Sequence, residues 1–129
     1  NLMTLLTRSA RLVGPVQPCL RSVRAQHIFY EEDYVTGLVD FVSLGVDSPA
    51  LDVARLLGEM AGDDPQLWNL GLNAYQLYRD LSDAERYLIV AFDRVRVLSL
   101  SLRRLQHPHL EAKTLEVTAD RLEAIADSL

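Results

Sequence analysis

Disulfides are the first thing this sequence excludes. It holds a single cysteine, Cys19, so neither a cross-linked framework nor a multi-thiolate metal site can be built from it. Glycine is also scarce, and its 6 residues are scattered; none gather into a loop that could cradle a phosphate chain. Long apolar runs are missing too. The longest, from Tyr87 to Phe92, spans 6 residues, against the roughly 18 to 20 a helix needs to cross a bilayer. A transmembrane span is therefore not expected, although peripheral contact with lipid stays open. Basic residues are in the minority and unevenly placed. Residues 1–30 contain Arg8, Arg11, Arg21 and Arg24 and no acid, whereas residues 31–129 hold all 18 acids against 9 Arg and Lys, a net charge of −9. An anionic body repels phosphate backbones, which argues against nucleic acid as a partner.

Signatures of chemistry are equally thin. There is no nucleophile elbow. His107-Pro108-His109 places two histidines across a proline without a third ligand at helical spacing, so it reads as a surface turn and not a metal site. The acids sit at expected helix starts (Asp33, Asp64, Asp83) or on solvated faces (Asp120, Glu123, Asp127). No catalytic, cofactor-binding or metal-ligating residue is expected, no cofactor is implied, and the chain is read as a non-enzyme.

What is present begins with an address. In residues 2–12, Leu2, Leu5, Leu6, Ala10 and Val13 cluster on a helical wheel, with Thr7, Arg8, Ser9 and Arg11 mainly opposite. An acid-free amphipathic start bearing Arg and Ser is the signature of a mitochondrial transit peptide, and it lacks the unbroken apolar core of a secretory signal. Pro15 and Pro18 end that helix. Residues 1–26 are read as a transit-peptide-like arm, with a processing region near Arg24, and residues 27–129 as the body.

The body is expected to be all-α, a small bundle or array of about five short helices. Glu31-Glu32-Asp33 is an acidic turn suited to a helix N-terminus, so residues 34–46 are assigned to the first helix. Ser48-Pro49 is a cap followed by proline at the first helical position, and Gly62 stops the helix it starts. Asp64-Pro65 repeats the device for residues 65–81. Ser82-Asp83-Ala84-Glu85 is a capping box that opens the longest helix, 83–106. Pro108 ends it, and residues 110–129 supply the last. The stretch 94–102 alternates as a strand would; the capping box and the lack of a hairpin signal assign it to helix.

The long helix carries apolar residues almost all round its middle turns, including Leu88, Ile89, Val90, Val95, Val97, Leu98, Leu100 and Leu102. Such a helix requires burial on every side, which a body of about a hundred residues does not readily supply alone. A partner surface is expected, centred on Ile89, Val90, Val97 and Leu100 and rimmed by the charged helix ends.

From Leu70 onward the chain resembles the small matrix-side helical subunit of mitochondrial complex III, the ubiquinone-binding subunit. The resemblance rests on Leu70-Gly71-Leu72, then Ala91-Phe92, Arg96, Leu100-Ser101-Leu102 and Pro108 in that order. It covers less than half the chain. The family's acidic pair is Asn73-Ala74 here, the segment before the aromatic is shorter, and no tryptophan follows Pro108. A second resemblance is Leu77-Tyr78-Arg79, similar to the tripeptide of LYR proteins, which bind mitochondrial acyl carrier protein. The first implies a non-catalytic role buttressing cytochrome b. Together with the address, it makes the leading expectation an accessory subunit of an inner-membrane energy-converting complex, with complex III favoured and ATP synthase open. The expected location is the matrix side of the inner membrane. The alternatives are a small matrix enzyme or ligand-binding helical domain, which would show a pocket with perturbed titratable groups, and an assembly factor or LYR-type adaptor.

Overall fold

Local signals decide where the helices begin. In the computed structural model, which describes residues 2–106, 121–123 and 125, an N-terminal helix α1 (Leu2–Ser9) precedes a short strand β1 (Gln17–Cys19) and a single 3-10 turn (Ala25–His27). Strands β2 (Ile28–Glu31), β3 (Tyr34–Leu38) and β4 (Gly45–Asp47) come next, then α2 (Pro49–Met60), α3 (Pro65–Gln76) and α4 (Asp83–Gln106). Pro49 and Pro65 stand in the first turns of α2 and α3. Asp64 Oδ1 accepts from the Gln66 and Leu67 amides at 2.8 and 3.3 Å, satisfying donors that a helix start leaves unpaired. Ser48 does not cap α2 with its side chain; its amide donates to Asp47 Oδ1 at 2.8 Å instead. Gly62, at φ 56°, turns the chain off the end of α2 in the left-handed conformation that glycine adopts without strain.

The capping box forms as the sequence implies. Glu85 N donates to Ser82 Oγ at 3.2 Å, and Ser82 N donates back to Glu85 Oε2 at 3.1 Å. Arg79 adds an ion pair of 2.6 Å to the same carboxylate. Burial pushes the Glu85 carboxyl up, but the hydrogen bonds from Ser82 and Arg79 outweigh it and hold the group below the usual carboxylate range. The alternating stretch 94–102 lies wholly inside α4. Its alternation is therefore not a strand signal.

The all-α expectation is overturned. The chain is mixed α and β, with two antiparallel two-stranded sheets, β1–β4 and β2–β3. Residues 34–46, assigned from sequence to a helix, form β3, a connecting loop and the first part of β4. The acids that looked like a helix N-terminus are a hairpin turn. Glu31 pairs with Tyr34, so Glu32 and Asp33 make a two-residue loop, with Glu32 at φ 55°. Around it stand Ile28, Phe29, Tyr30, Tyr34, Val35 and Thr36, residues that fit a pleated surface better than a helix. Gly37 faces Phe29 across the pair. Gly45 and Asp47 bound β4. The third helix is also shorter than the expected 65–81, since α3 ends at Gln76 and residues 77–79 are turn and bend. The expected helix 110–129 and His107-Pro108-His109 lie mostly outside the described residues; residues 121–123 and 125 are helical.

The core sits where α2 crosses α4. Ala50, Val53, Ala54, Leu81, Leu88 and Ile89 form its buried cluster, and Leu12, Leu57, Trp68, Leu72 and Phe92 pack against it. The spacing of Ala50, Val53, Ala54 and Leu57 is that of one helix face. Helix α3 has no fully buried residue. It is held at Gly71, where any side chain would run into Leu57, and by Trp68 Nε1 donating to the Gly62 carbonyl at 2.8 Å.

Residues 1–26 do not hang free of this body. Arg8 stacks 4.6 Å from the Tyr87 ring centroid, and β1 pairs with β4 from Gln17↔Asp47 to Cys19↔Gly45. The Leu20 and Arg21 amides donate to the two oxygens of Asp52, each at 2.7 Å. Cys19 and Val23 are buried, each contributing on the order of 1.5 to 3 kcal/mol. Removing residues 1–24 is expected to lower the thermal midpoint by about 10 °C or more, measured by circular dichroism. An unchanged melting curve would show that the arm adds nothing to the fold.

Candidate functional site

The four residues expected to face a partner divide into two pairs. Ile89 and Val97 are 1% and 2% exposed and are the largest fully buried side chains. They face the chain's own core, so neither is available to a partner. Val90 is 46% exposed and Leu100 is half-buried. The 24-residue length of α4 explains the division: α2 covers one side, and the apolar residues beyond that side stay at the surface.

A further group of exposed apolar side chains lies on the hairpin and the segment that follows it. Phe29, Tyr30, Tyr34 and Val35 on β2 and β3, then Val39, Phe41, Val42, Leu44 and Val46, are all exposed, with Tyr34 at 75% and Val42 at 93%. A two-stranded hairpin has too little width to bury either face by itself and is marginal alone in water. Here its close backbone neighbours are mainly its own two strands. Leu67 and Leu70 on α3, with Leu77 and Tyr78 just beyond it, form a second apolar stretch.

Leu77-Tyr78-Arg79 follows the end of α3 and does not open a helix. Its arginine is engaged with Glu85. The Cys19 thiol donates to the Asp47 carbonyl at 3.3 Å. Burial pushes its pKa up, and the neighbouring charges of Asp52 and Asp47 push it further, so the thiol is a packing group and a poor nucleophile.

An ionic cluster joins three elements behind the core. Arg121 Nη2 contacts Asp93 Oδ2 at 2.7 Å, with both side chains almost fully buried. Its Nη1 donates to the Gly58 carbonyl at 3.1 Å, and its Nε lies 3.2 Å from Asp63. Gly58 is required there because a β-carbon would collide with the Asp93 carboxylate. Burial raises the Asp93 carboxyl above the ordinary range despite the opposing charges of Arg121, Arg94 and Arg96. The Arg121–Asp93 pair is buried, while Asp63 is partly exposed at its edge, and the cluster has the character of a structural tie.

Beside it opens a cavity of about 530 Å³ between α2, α4 and the segment joining β1 to β2. Arg24, Arg55, Arg96 and Arg103 converge on it, against the acids Asp40 and Glu59. None of the four arginines is in an ion pair among the described residues. Burial holds the Arg96 guanidinium below the ordinary arginine range; Glu59 and Asp93 oppose the shift, and the like charges of Arg121 and Arg55 add to it. His27 pairs with Asp40 at 3.4 Å through Nε2. Ser22 Oγ, His27 Nδ1 and Arg55 Nε are buried with no hydrogen-bond partner among the described residues. Sequence reading passed over this site, although Arg96, Ser99 and Arg103 do share one face of α4 at helical spacing.

No group of three His, Cys, Asp or Glu among the described residues is placed to hold a metal ion, and no described helix is long and apolar enough to cross a membrane. Compared with known proteins, the chain matches no family model, no curated protein and no solved structure.

Proposed function

We propose that this chain is a non-catalytic accessory subunit of a mitochondrial inner-membrane energy-converting complex. Complex III is favoured, and the chain docks on the matrix side. The observation that carries the docking is the exposed apolar surface of residues 29–46, with Phe29, Tyr34, Phe41 and Val42 at its centre. A monomer rarely leaves so many large apolar side chains together in water, and the aromatic content matches the composition of interface cores. The location rests on the acid-free amphipathic start of the sequence, and the choice of complex on the partial resemblance that begins at Leu70. The partner is another subunit, with peripheral lipid as a lesser contact.

Phe41→Asp combined with Val42→Asp is expected to leave the isolated chain folded, because both positions are exposed. The same change should cut its affinity for the complex by about a hundredfold or more, since central apolar anchors contribute on the order of 2 kcal/mol or more each. Both effects are measurable by circular dichroism and by recovery of the tagged chain with the solubilised complex. Full recovery of the double variant with the complex would remove the hairpin loop from the interface.

A further inference from the structure

We propose that the arginine-lined cavity between α2 and α4 is a binding site for a phosphate group. The site stands apart from the apolar docking surface and does not depend on that reading. Its wall is built from two helices and one connecting segment: Arg55 on α2, Arg96 and Arg103 on α4, and Arg24 just before the 3-10 turn. A guanidinium presents a rigid planar fork of donors that matches the oxygens of phosphate. Four of them facing one cavity without ion pairs among the described residues repel one another. A chain with net charge −5 gathers such a cluster against its own composition, and an anion between the forks relieves the repulsion.

The neutral groups fit the same ligand. Ser22 Oγ is a buried hydroxyl with no partner among the described residues, and His27 Nδ1 and Arg55 Nε are likewise buried and unpaired. A buried polar atom left unpaired is costly, so three in one wall mark a place where a polar ligand is accommodated. Two acids also face the cavity. Asp40 is engaged with His27, and the exposed Glu59 acts on Arg96, so the four arginines outnumber the two acids that face the cavity. Leu51, Phe92, Val95 and Leu100 complete the lining. They give it an apolar side that would accept the organic part of a phosphate ester, whether the headgroup region of an anionic phospholipid or a soluble phosphate compound.

The test uses the full chain. Binding of inorganic phosphate and of pyrophosphate is followed by calorimetry and by thermal shift at constant ionic strength, and partition is followed onto phosphatidylcholine vesicles with and without phosphatidylglycerol. Arg24→Ser with Arg103→Ser alters two exposed residues at the mouth, and Arg55→Gln with Arg96→Gln alters the floor. Should the floor variant fail to fold, the mouth variant alone decides. The wild type is expected to bind at least one probe, and each folded variant to bind it about tenfold or more weaker. Arginine-dependent binding of free pyrophosphate assigns the site to a soluble phosphate compound. Arginine-dependent binding only to phosphatidylglycerol vesicles assigns it to a lipid headgroup. Absence of binding to every probe, or unchanged affinity in the folded mouth variant, overturns the proposal.

Discussion

Val97→Asp is expected to unfold the chain. Val97 is 2% exposed and sits on the face of α4 turned toward the interior. The substitution forgoes about 1.5 to 3 kcal/mol of apolar burial and buries a carboxylate, a further loss of several kcal/mol. The sum takes up most of a small domain's margin of roughly 5 to 15 kcal/mol. The helical dichroism signal should collapse at room temperature. Val90→Asp on the same helix, at a position 46% exposed, is expected to stay within about 0.5 kcal/mol of the parent. A folded Val97→Asp chain with parental stability would mean that this face of α4 is not the core.

The second large effect belongs to the buried ion pair. Arg121→Met removes the guanidinium that touches Asp93, Asp63 and the Gly58 carbonyl, leaving the buried Asp93 carboxylate without its hydrogen-bonded counter-charge and with only the charges of Arg94 and Arg96 acting on it. Losing one partner of such a pair costs about 3 to 5 kcal/mol. Asp93→Leu combined with Arg121→Met should recover much of the loss, since neither charge is then stranded. The pH dependence follows from sign. Asp93 titrates above its unfolded value because burial penalises its charge. Its favourable contribution is therefore present below the unfolded carboxylate pKa and is lost as pH rises through the folded one. Without Arg121 the folded pKa rises further. The stability gap between Arg121→Met and the parent should thus narrow as pH falls from about 7 to about 4. Urea unfolding at the two pH values measures it, and a gap that widened on acidification would contradict the assignment of charge.

These outcomes also explain how much of the molecule can be read in its sequence. Helix starts are legible because their chemistry is local: Asp64 accepts from the Gln66 and Leu67 amides just past Pro65, and Ser82 and Glu85 bond reciprocally, as their spacing implies. The extent of α4 was legible through its alternating stretch for the same reason, since the capping box fixed the helix before the ambiguous residues began. The hairpin was misread because an acidic triplet serves a helix N-terminus and a two-residue turn equally well. Only the pairing of Glu31 with Tyr34 decides between them. The β1–β4 pairing joins segments from opposite sides of that hairpin, and no local pattern announces it.

The apolar excess that the sequence places all round α4 divides in the structure: Ile89 and Val97 are buried, Val90, Val95 and Leu102 stay exposed, and further exposed apolar side chains lie on residues 29–46. The arginine cavity has no sequence signature because its residues come from three segments far apart in the chain, each of which alone resembles an ordinary charged surface.

Native-gel migration of the endogenous chain from gently solubilised mitochondria tests whether it is a subunit held by its apolar hairpin surface. The expected result is co-migration with an inner-membrane energy-converting complex, with cross-links from residues 29–46 to a matrix-side subunit. A chain that runs alone at the mass of its monomer, with Tyr34 and Val42 open to solvent labelling, would contradict it.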